Sequence, residues 1–144
     1  MINKIDIKDS DSFYKLGKEL NDNFNNLYNL DELLKSKYDF IYGYYIDDNL
    51  VGFIHINKLY ENMDIVNIVV SKEYRNKGIG TKLLNYTVDN YKDINNIMLE
   101  VRESNNTAID FYKKNNFKII NVRKKYYGNE DALIMKRDVI NEEK

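Results

Sequence analysis

A run of β-branched and apolar residues, Met63 to Val70, leads through a charged stretch to Gly78-Ile-Gly80 and then into Thr81-Lys-Leu-Leu-Asn-Tyr-Thr-Val88. Ile79, Leu83, Leu84, Val88 and Tyr91 fall near one face at helical spacing, so the segment predicts a strand that feeds a glycine turn that opens a helix. That order points to a mixed α/β fold. It also makes a phosphate seat: glycines let backbone approach a ligand closely, and the first N–H groups of the helix lie at the positive end of its dipole. Two other nucleotide motifs fit less well. Leu83 stands where a dinucleotide fingerprint needs its third small residue, and no Gly-Lys-Ser/Thr triplet closes a P-loop.

The remaining pattern predicts a single sheet with helices packed on it. Ile2 to Ile7 alternates as a first strand, and Asp9 to Ser12 offer caps for a helix carrying Phe13, Leu16 and Leu20. An Asn-rich break at Asn21 to Asn26 precedes a short helix at Leu30 to Leu34. Phe40–Ile46 and Leu50–Ile56 flank Asp47-Asp-Asn49 as a hairpin. Beyond the glycine loop, a strand is expected at Ile97–Val101, a helix at Thr107–Lys114, strands at Phe117–Lys124 and Ala132–Lys136, and a turn at Tyr126–Asp131. Without repeats or a Gly/Ser linker, 144 residues imply one domain over 1–140 with a frayed tail at 141–144.

Composition narrows the chemistry. Lys+Arg 22 against Asp+Glu 23 lacks the basic excess of a protein that binds nucleic acid through phosphates. Cys 0 removes disulfides and thiolate chemistry, and His 1 removes most zinc and triad sites, so no metal is expected. The N-terminus has no continuous apolar segment and no stretch approaches membrane-spanning length, so a cytoplasmic protein without membrane contact is expected. The Asn, Lys, Ile and Tyr bias with Pro 0 matches an AT-rich bacterial genome. His55, a lone strand histidine beside Phe53 and Ile54, reads as structural.

The pattern Arg75-x-x-Gly78-x-Gly80 resembles the acyl-CoA pyrophosphate loop of the GNAT acetyltransferases. Leu99-Glu-Val-Arg-Glu-Ser-Asn105, Ala108-Ile-Asp-Phe-Tyr112, Tyr126-Tyr127 and Glu130-Asp-Ala-Leu-Ile-Met135 follow in the order seen in RimI-like ribosomal-protein alanine N-acetyltransferases. The likeness covers Met63 to Met135, about half the chain. Where those proteins carry a Pro-Trp pair this chain has Phe24 to Glu32, and Gly128 stands where they have proline.

The resemblance implies a GNAT-like α/β (α+β) fold, with a mixed, mostly antiparallel sheet and helices on both faces. It implies acetyl-CoA as cosubstrate, held by the backbone of Ile68, Val69 and Val70 and by Arg75, Asn76, Lys77, Gly78, Ile79, Gly80 and Thr81, with Asn105 near the cofactor. Glu100 is then the base and Tyr112 the acid, with Glu103 as an alternative base; Asp31, Tyr126 and Tyr127 face the acceptor. A carboxylate inside a short apolar strand such as Ile97–Val101 is costly unless it is paired or faces a wet cleft. The implied acceptor is the N-terminal alanine of a small-subunit ribosomal protein, and the chain is expected as a monomer or weak homodimer. Two alternatives remain open: an enzyme acting on a small-molecule amine or lysine, and a non-enzymatic acyl-CoA-binding module.

Overall fold

A computed structural model describes Met1 to Val139, so the expected frayed tail at 141–144 lies outside the described residues. The strands are β1 (Ile2–Lys4), β2 (Asp39–Ile46), β3 (Asn49–Leu59), β4 (Asn62–Val70), β5 (Asn96–Arg102), β6 (Lys118–Arg123) and β7 (Ala132–Asp138). The helices are α1 (Ser10–Leu20), α2 (Phe24–Leu27), α3 (Leu30–Lys35), α4 (Ile79–Asn90) and α5 (Asn106–Lys114). Hydrogen bonding orders the strands β1-β2-β3-β4-β5-β7-β6. Residues Met1–Lys58 with Ile65–Lys92 form one compact unit, and Leu59–Asp64 with the described residues after Lys92 form a second.

In the first unit, β1, β2 and β3 pair antiparallel, and Asp47 (φ 50) and Asp48 (φ 66) close the β2–β3 hairpin in the left-handed region that a two-residue turn requires. Phe13 and Leu16 of α1, Phe24 of α2 and Leu30 of α3 pack with Ile41, Phe53 and Val69 in one core. Tyr42, the neighbour of Ile41 on β2, points to the opposite face. There its ring meets Tyr86 of α4 and, just past that helix, Tyr91, with centroids 5.2 and 6.5 Å apart, so helices cover both faces. Leu50 to Ile56 of β3 is accordingly buried on every residue.

Two local expectations differ from the structure. The first strand stops at Lys4 rather than Ile7, because the Asp6 carboxylate accepts the Ile7 N–H (2.6 Å) and Asp9 accepts the Asp6 N–H (3.0 Å), which winds Ile7–Asp9 into a 3-10 turn. The Asn-rich segment is not simply a break. Phe24 buries its ring against Phe13 (5.3 Å) and Tyr28 (4.8 Å), and that anchor closes the single turn of α2.

In the second unit, β7 lies between β5 and β6 and pairs antiparallel with both, while Asn62–Asp64 at the start of β4 pairs in parallel with Asn96–Met98. Ile97, Leu99 and Val101 are buried, which turns Met98, Glu100 and Arg102 to the other face.

Gly52 of β3 has a packing role. A Cβ built there would meet the Val69 carbonyl oxygen at 2.9 Å and the Val70 Cα at 3.4 Å, so only glycine permits this approach of β3 to the end of β4. Gly52→Val should lower the unfolding free energy by about 1–3 kcal/mol, as overpacking against backbone does, measured by denaturant titration. An unchanged midpoint would show that β4 has room to shift.

His55 is fully enclosed, with Nε2 donating to Asp39 Oδ1 at 2.7 Å and the Tyr28 ring edge-on at 6.0 Å. Burial lowers the imidazole pKa despite the neighbouring carboxylate, so the ring is neutral in the fold. Burial works against the Asp39 anion, but hydrogen bonds from Ser36, His55 and Asn57 outweigh it and hold the carboxyl below its usual range. The unfolded chain therefore takes up the histidine proton first, and stability falls as pH drops below about 6.5. His55→Gln should flatten the loss of unfolding free energy between pH 7 and 5; an identical slope would place that loss elsewhere.

Candidate functional site

The end of β4 delivers the glycine loop. The Ser71 N–H donates to the Val51 carbonyl at 2.8 Å, and alternation along the strand turns the polar groups of Val70 away from β3. The Val70 carbonyl agrees, since its partner is the Arg75 Nε–H at 2.9 Å. By the same alternation the backbone groups of both Ile68 and Val70 turn away from β3, and with the Val70 carbonyl taken by Arg75 its N–H remains on that side. The Val69 side chain is in the core, and Ile68 and Val70 are half-buried. Asn67 places its buried Nδ2 on the same strand with no hydrogen-bond partner among the described residues.

After one 3-10 turn at Lys72–Tyr74, the backbone enters the left-handed region at Asn76 (φ 63) and again at Gly78 (φ 81), which stands at the N-cap of α4. Asparagine tolerates that region and glycine adopts it freely. No side chain caps this helix and its first turn contains no acidic residue. The first helical hydrogen bond runs from the Lys82 N–H to the Gly78 carbonyl at 3.0 Å, so the N–H groups of Ile79 and Gly80 precede it, at the positive end of the dipole. A Cβ built on Gly78 would meet nothing within 4 Å. An open, uncapped helix start without a competing carboxylate fits a pyrophosphate.

Arg75 braces this loop. Besides its bond to Val70, its guanidinium lies 3.4 Å from Glu19 of α1, which also accepts the Lys72 N–H at 3.3 Å. Nothing in the local sequence pattern predicts Glu19, 56 residues away in the chain. Lys77 rests over the Tyr74 ring at 5.4 Å, and Thr81 sits half-buried in the first turn of α4. Asp31, also in the first unit, is exposed and ion-paired with Lys35 at 3.0 Å, one turn along α3.

The second unit carries the acid–base candidates. Glu100 is exposed on β5, and its carboxylate meets the Arg123 guanidinium at 2.9 Å. The Arg123 guanidinium also lies 5.3 Å from the Tyr126 ring. Two residues along β5, Arg102 repeats the device: it meets Glu130 at 2.9 Å and stacks on the Tyr127 ring at 4.1 Å. Hydrogen bonds from Ser104 and Arg102 hold the Glu130 carboxyl below its ordinary pKa. Glu103 is engaged as well, its N–H donating to the Asp131 carbonyl (3.1 Å) and its carboxylate accepting the Asp131 N–H (3.4 Å). These contacts tie the Tyr126–Asp131 turn to β5.

Tyr112 is buried in α5, edge-on to Phe111 (5.3 Å) and Phe117 (5.4 Å), and burial raises its pKa above that of free phenol. The phenol therefore stays protonated at neutral pH. Asn105 caps α5, its side chain accepting the Ala108 N–H at 3.2 Å. Asp64 and Met98 are register partners in the parallel β4–β5 pair, so Asp64 shares the face of Met98 and Glu100. Burial and the Glu100 charge push the Asp64 carboxyl up. Among the described residues no group of His, Cys, Asp and Glu could hold a metal ion, and no helix is long and apolar enough to cross a membrane.

Comparison with known proteins agrees with this arrangement. Residues 6–117 match the model of the Acetyltransferase (GNAT) family. An N-alpha-acetyltransferase of Saccharolobus solfataricus is 39% identical over 108 residues, covering 64% of this chain and 65% of that protein. The [ribosomal protein bS18]-alanine N-acetyltransferase of Salmonella typhimurium is 32% identical over 95 residues, covering 62% of this chain and 64% of its own length. The match thus spans just under two thirds of each of these relatives. The crystal structure of the ribosomal-protein-S18-alanine N-acetyltransferase from Escherichia coli superposes with a TM-score of 0.83 at 21% identity, covering 96% of this chain and 93% of that one, a likeness of fold. With a sheet order, a glycine loop and a family match that all agree, the chain belongs to the GNAT acetyltransferase family.

Proposed function

We propose that this protein is an acetyl-CoA-dependent N-acetyltransferase acting on the N-terminal α-amine of a protein, with an N-terminal alanine of a small-subunit ribosomal protein as its preferred acceptor. The open, uncapped start of α4 at Gly78 is the observation that carries the cofactor part of this reading. The family match runs from residue 6 to residue 117 through both compact units, which favours one acetyltransferase domain over 1–140. The acceptor part rests on relatives named for N-alpha and for ribosomal-protein alanine acetylation. A monomer or weak dimer in the cytoplasm, without nucleic acid or metal, completes the proposal.

Acetyl-CoA supplies an acetyl group already activated as a thioester. The Ile79 and Gly80 N–H groups, with Asn76, Lys77 and Thr81 beside them, bind its pyrophosphate, while Arg75 holds the loop in place. The Val70 N–H, turned away from β3, is the donor we assign to polarise the acyl carbonyl. An α-amine has a reference pKa of about 7.7–8.0 and attacks only when neutral, so a base is needed near neutral pH. Glu100 takes that proton directly or through water. Tyr112 donates a hydrogen bond to the departing sulfur; because burial makes its phenol a weaker acid, it stabilises the developing thiolate more than it hands over a proton. Asn105, Asp31, Tyr126 and Tyr127 are assigned to the cofactor and acceptor walls on the resemblance described above.

Glu100→Gln should lower kcat by about 100-fold or more while leaving the acetyl-CoA dissociation constant unchanged, and activity should recover in part at higher pH as more amine becomes neutral. Tyr112→Phe should lower kcat with the fold intact. Wild-type rates in both variants would make the residues structural only.

Steady-state kinetics on three acceptor types tests the substrate assignment. Ala-starting peptides are expected to give the highest kcat/KM; lysine ε-amines, with a pKa near 10.4, hold their proton more tightly and should be turned over far more slowly, as should aminoglycosides. Equal or greater efficiency on the small-molecule amine would favour that acceptor class instead.

A further inference from the structure

We propose that Arg123 occupies on Glu100 the position that the acceptor's ammonium takes, so that acceptor binding is an exchange of one cation for another at a single carboxylate. The inference rests on the reading of Glu100 as the base, and it adds a specificity-determining residue to the acceptor site.

The geometry is that of a placeholder. Arg123 Nη1 lies 2.9 Å from Glu100 Oε1, with side chains 51% and 33% exposed. An ion pair so open to water sits close to energetic neutrality, because each charge is nearly as well solvated apart. A primary ammonium offers the same charge-assisted hydrogen bond, so it can replace the guanidinium at little cost. The displaced Arg123 keeps a resting place over the Tyr126 ring, 5.3 Å away, and that ring is itself 55% exposed.

The turn above Glu100 need not open for this exchange. Arg102, pinned by Glu130 at 2.9 Å and stacked on Tyr127 at 4.1 Å, fastens the turn independently, and so do the Lys125 N–H to Asp131 (2.8 Å) and Glu103 to Asp131 contacts. The turn thus keeps these other ties when Arg123 leaves Glu100.

The charges nearby favour a cation at Glu100. Asp64 shares the face of Glu100 through its register with Met98, and its carboxyl is pushed up by burial and by the Glu100 charge. Tyr127 is pushed up by burial and by the same anion. Two carboxylates on one face favour occupancy by Arg123 in the resting protein and by the substrate ammonium in the complex. They disfavour an acceptor that arrives uncharged or with a carboxylate beside its amine. Once bound, the ammonium gives its proton to Glu100, and the neutral amine is free to attack.

The test is a double-mutant cycle with an Ala-starting peptide as acceptor. Arg123→Gln should lower the acceptor KM by about fivefold, the scale of an exposed ion pair, with the acetyl-CoA dissociation constant and thermal midpoint unchanged. Arg123→Lys should restore the wild-type KM, and Arg123→Gln should have no further effect in a Glu100→Gln background. A raised KM, or the same change with and without Glu100, would overturn the proposal. If Glu100→Gln alone turns over like wild type, the base assignment fails on its own and is recognised separately. A readout on the intact wild-type protein guards against misfolded variants: the Arg123 Nε–H resonance, assigned by its loss in Arg123→Lys, should shift when CoA and peptide bind together, and an unmoved resonance would contradict the exchange.

Discussion

The close approach that Gly52 allows between β3 and the end of β4 fixes where the strand stops, and the cofactor half of the site depends on that point. With Ser71 spent on Val51, the Val70 groups turn outward, Arg75 takes the carbonyl, and the chain winds through two left-handed residues into α4. The result is a helix start with no side-chain cap, no acid and open space above Gly78. In the proposed site, backbone groups would do the binding. Side chains such as Arg75 and Glu19 hold the backbone still, which is the efficient use of a flexible arginine near a phosphate seat.

The second unit solves a different problem. The carboxylate proposed as the base could serve neither buried in an unpaired state nor locked to a partner. Glu100 lies on the open face of β5 and pairs with an exposed arginine, which leaves its carboxylate accessible. In the neighbouring Arg102–Tyr127–Glu130 cluster the guanidinium lies closer to its ring, at 4.1 Å, and ties the turn to β5. Tyr112 is the opposite case, fully enclosed among aromatic rings and therefore held as a neutral phenol.

Much of this was legible in the residue order, for identifiable reasons. The glycine loop and the strand before it carry local signals, since glycine at a positive φ and β-branched runs are properties of a few adjacent residues. Strand alternation separates Glu100 from Ile97, Leu99 and Val101, and in the structure those three are buried and Glu100 is exposed. Its partner was not legible, because Arg123 meets it across two strand pairings, and a salt bridge leaves no periodic trace. Glu19 and Asp64 were hidden for the same reason. At Ile7 and Phe24 the expectation erred where side-chain hydrogen bonds or one buried ring outweighed the local pattern.

The account stands on transfer of an acetyl group to a peptide α-amine. The most direct measurement is mass spectrometry of an Ala-starting peptide that also contains an internal lysine, after incubation with this protein and acetyl-CoA. The account predicts a single acetyl group, located by fragmentation on the N-terminal nitrogen and absent without enzyme. Acetylation of the lysine in preference to the terminus, or an unmodified peptide under conditions where acetyl-CoA binds, would contradict it.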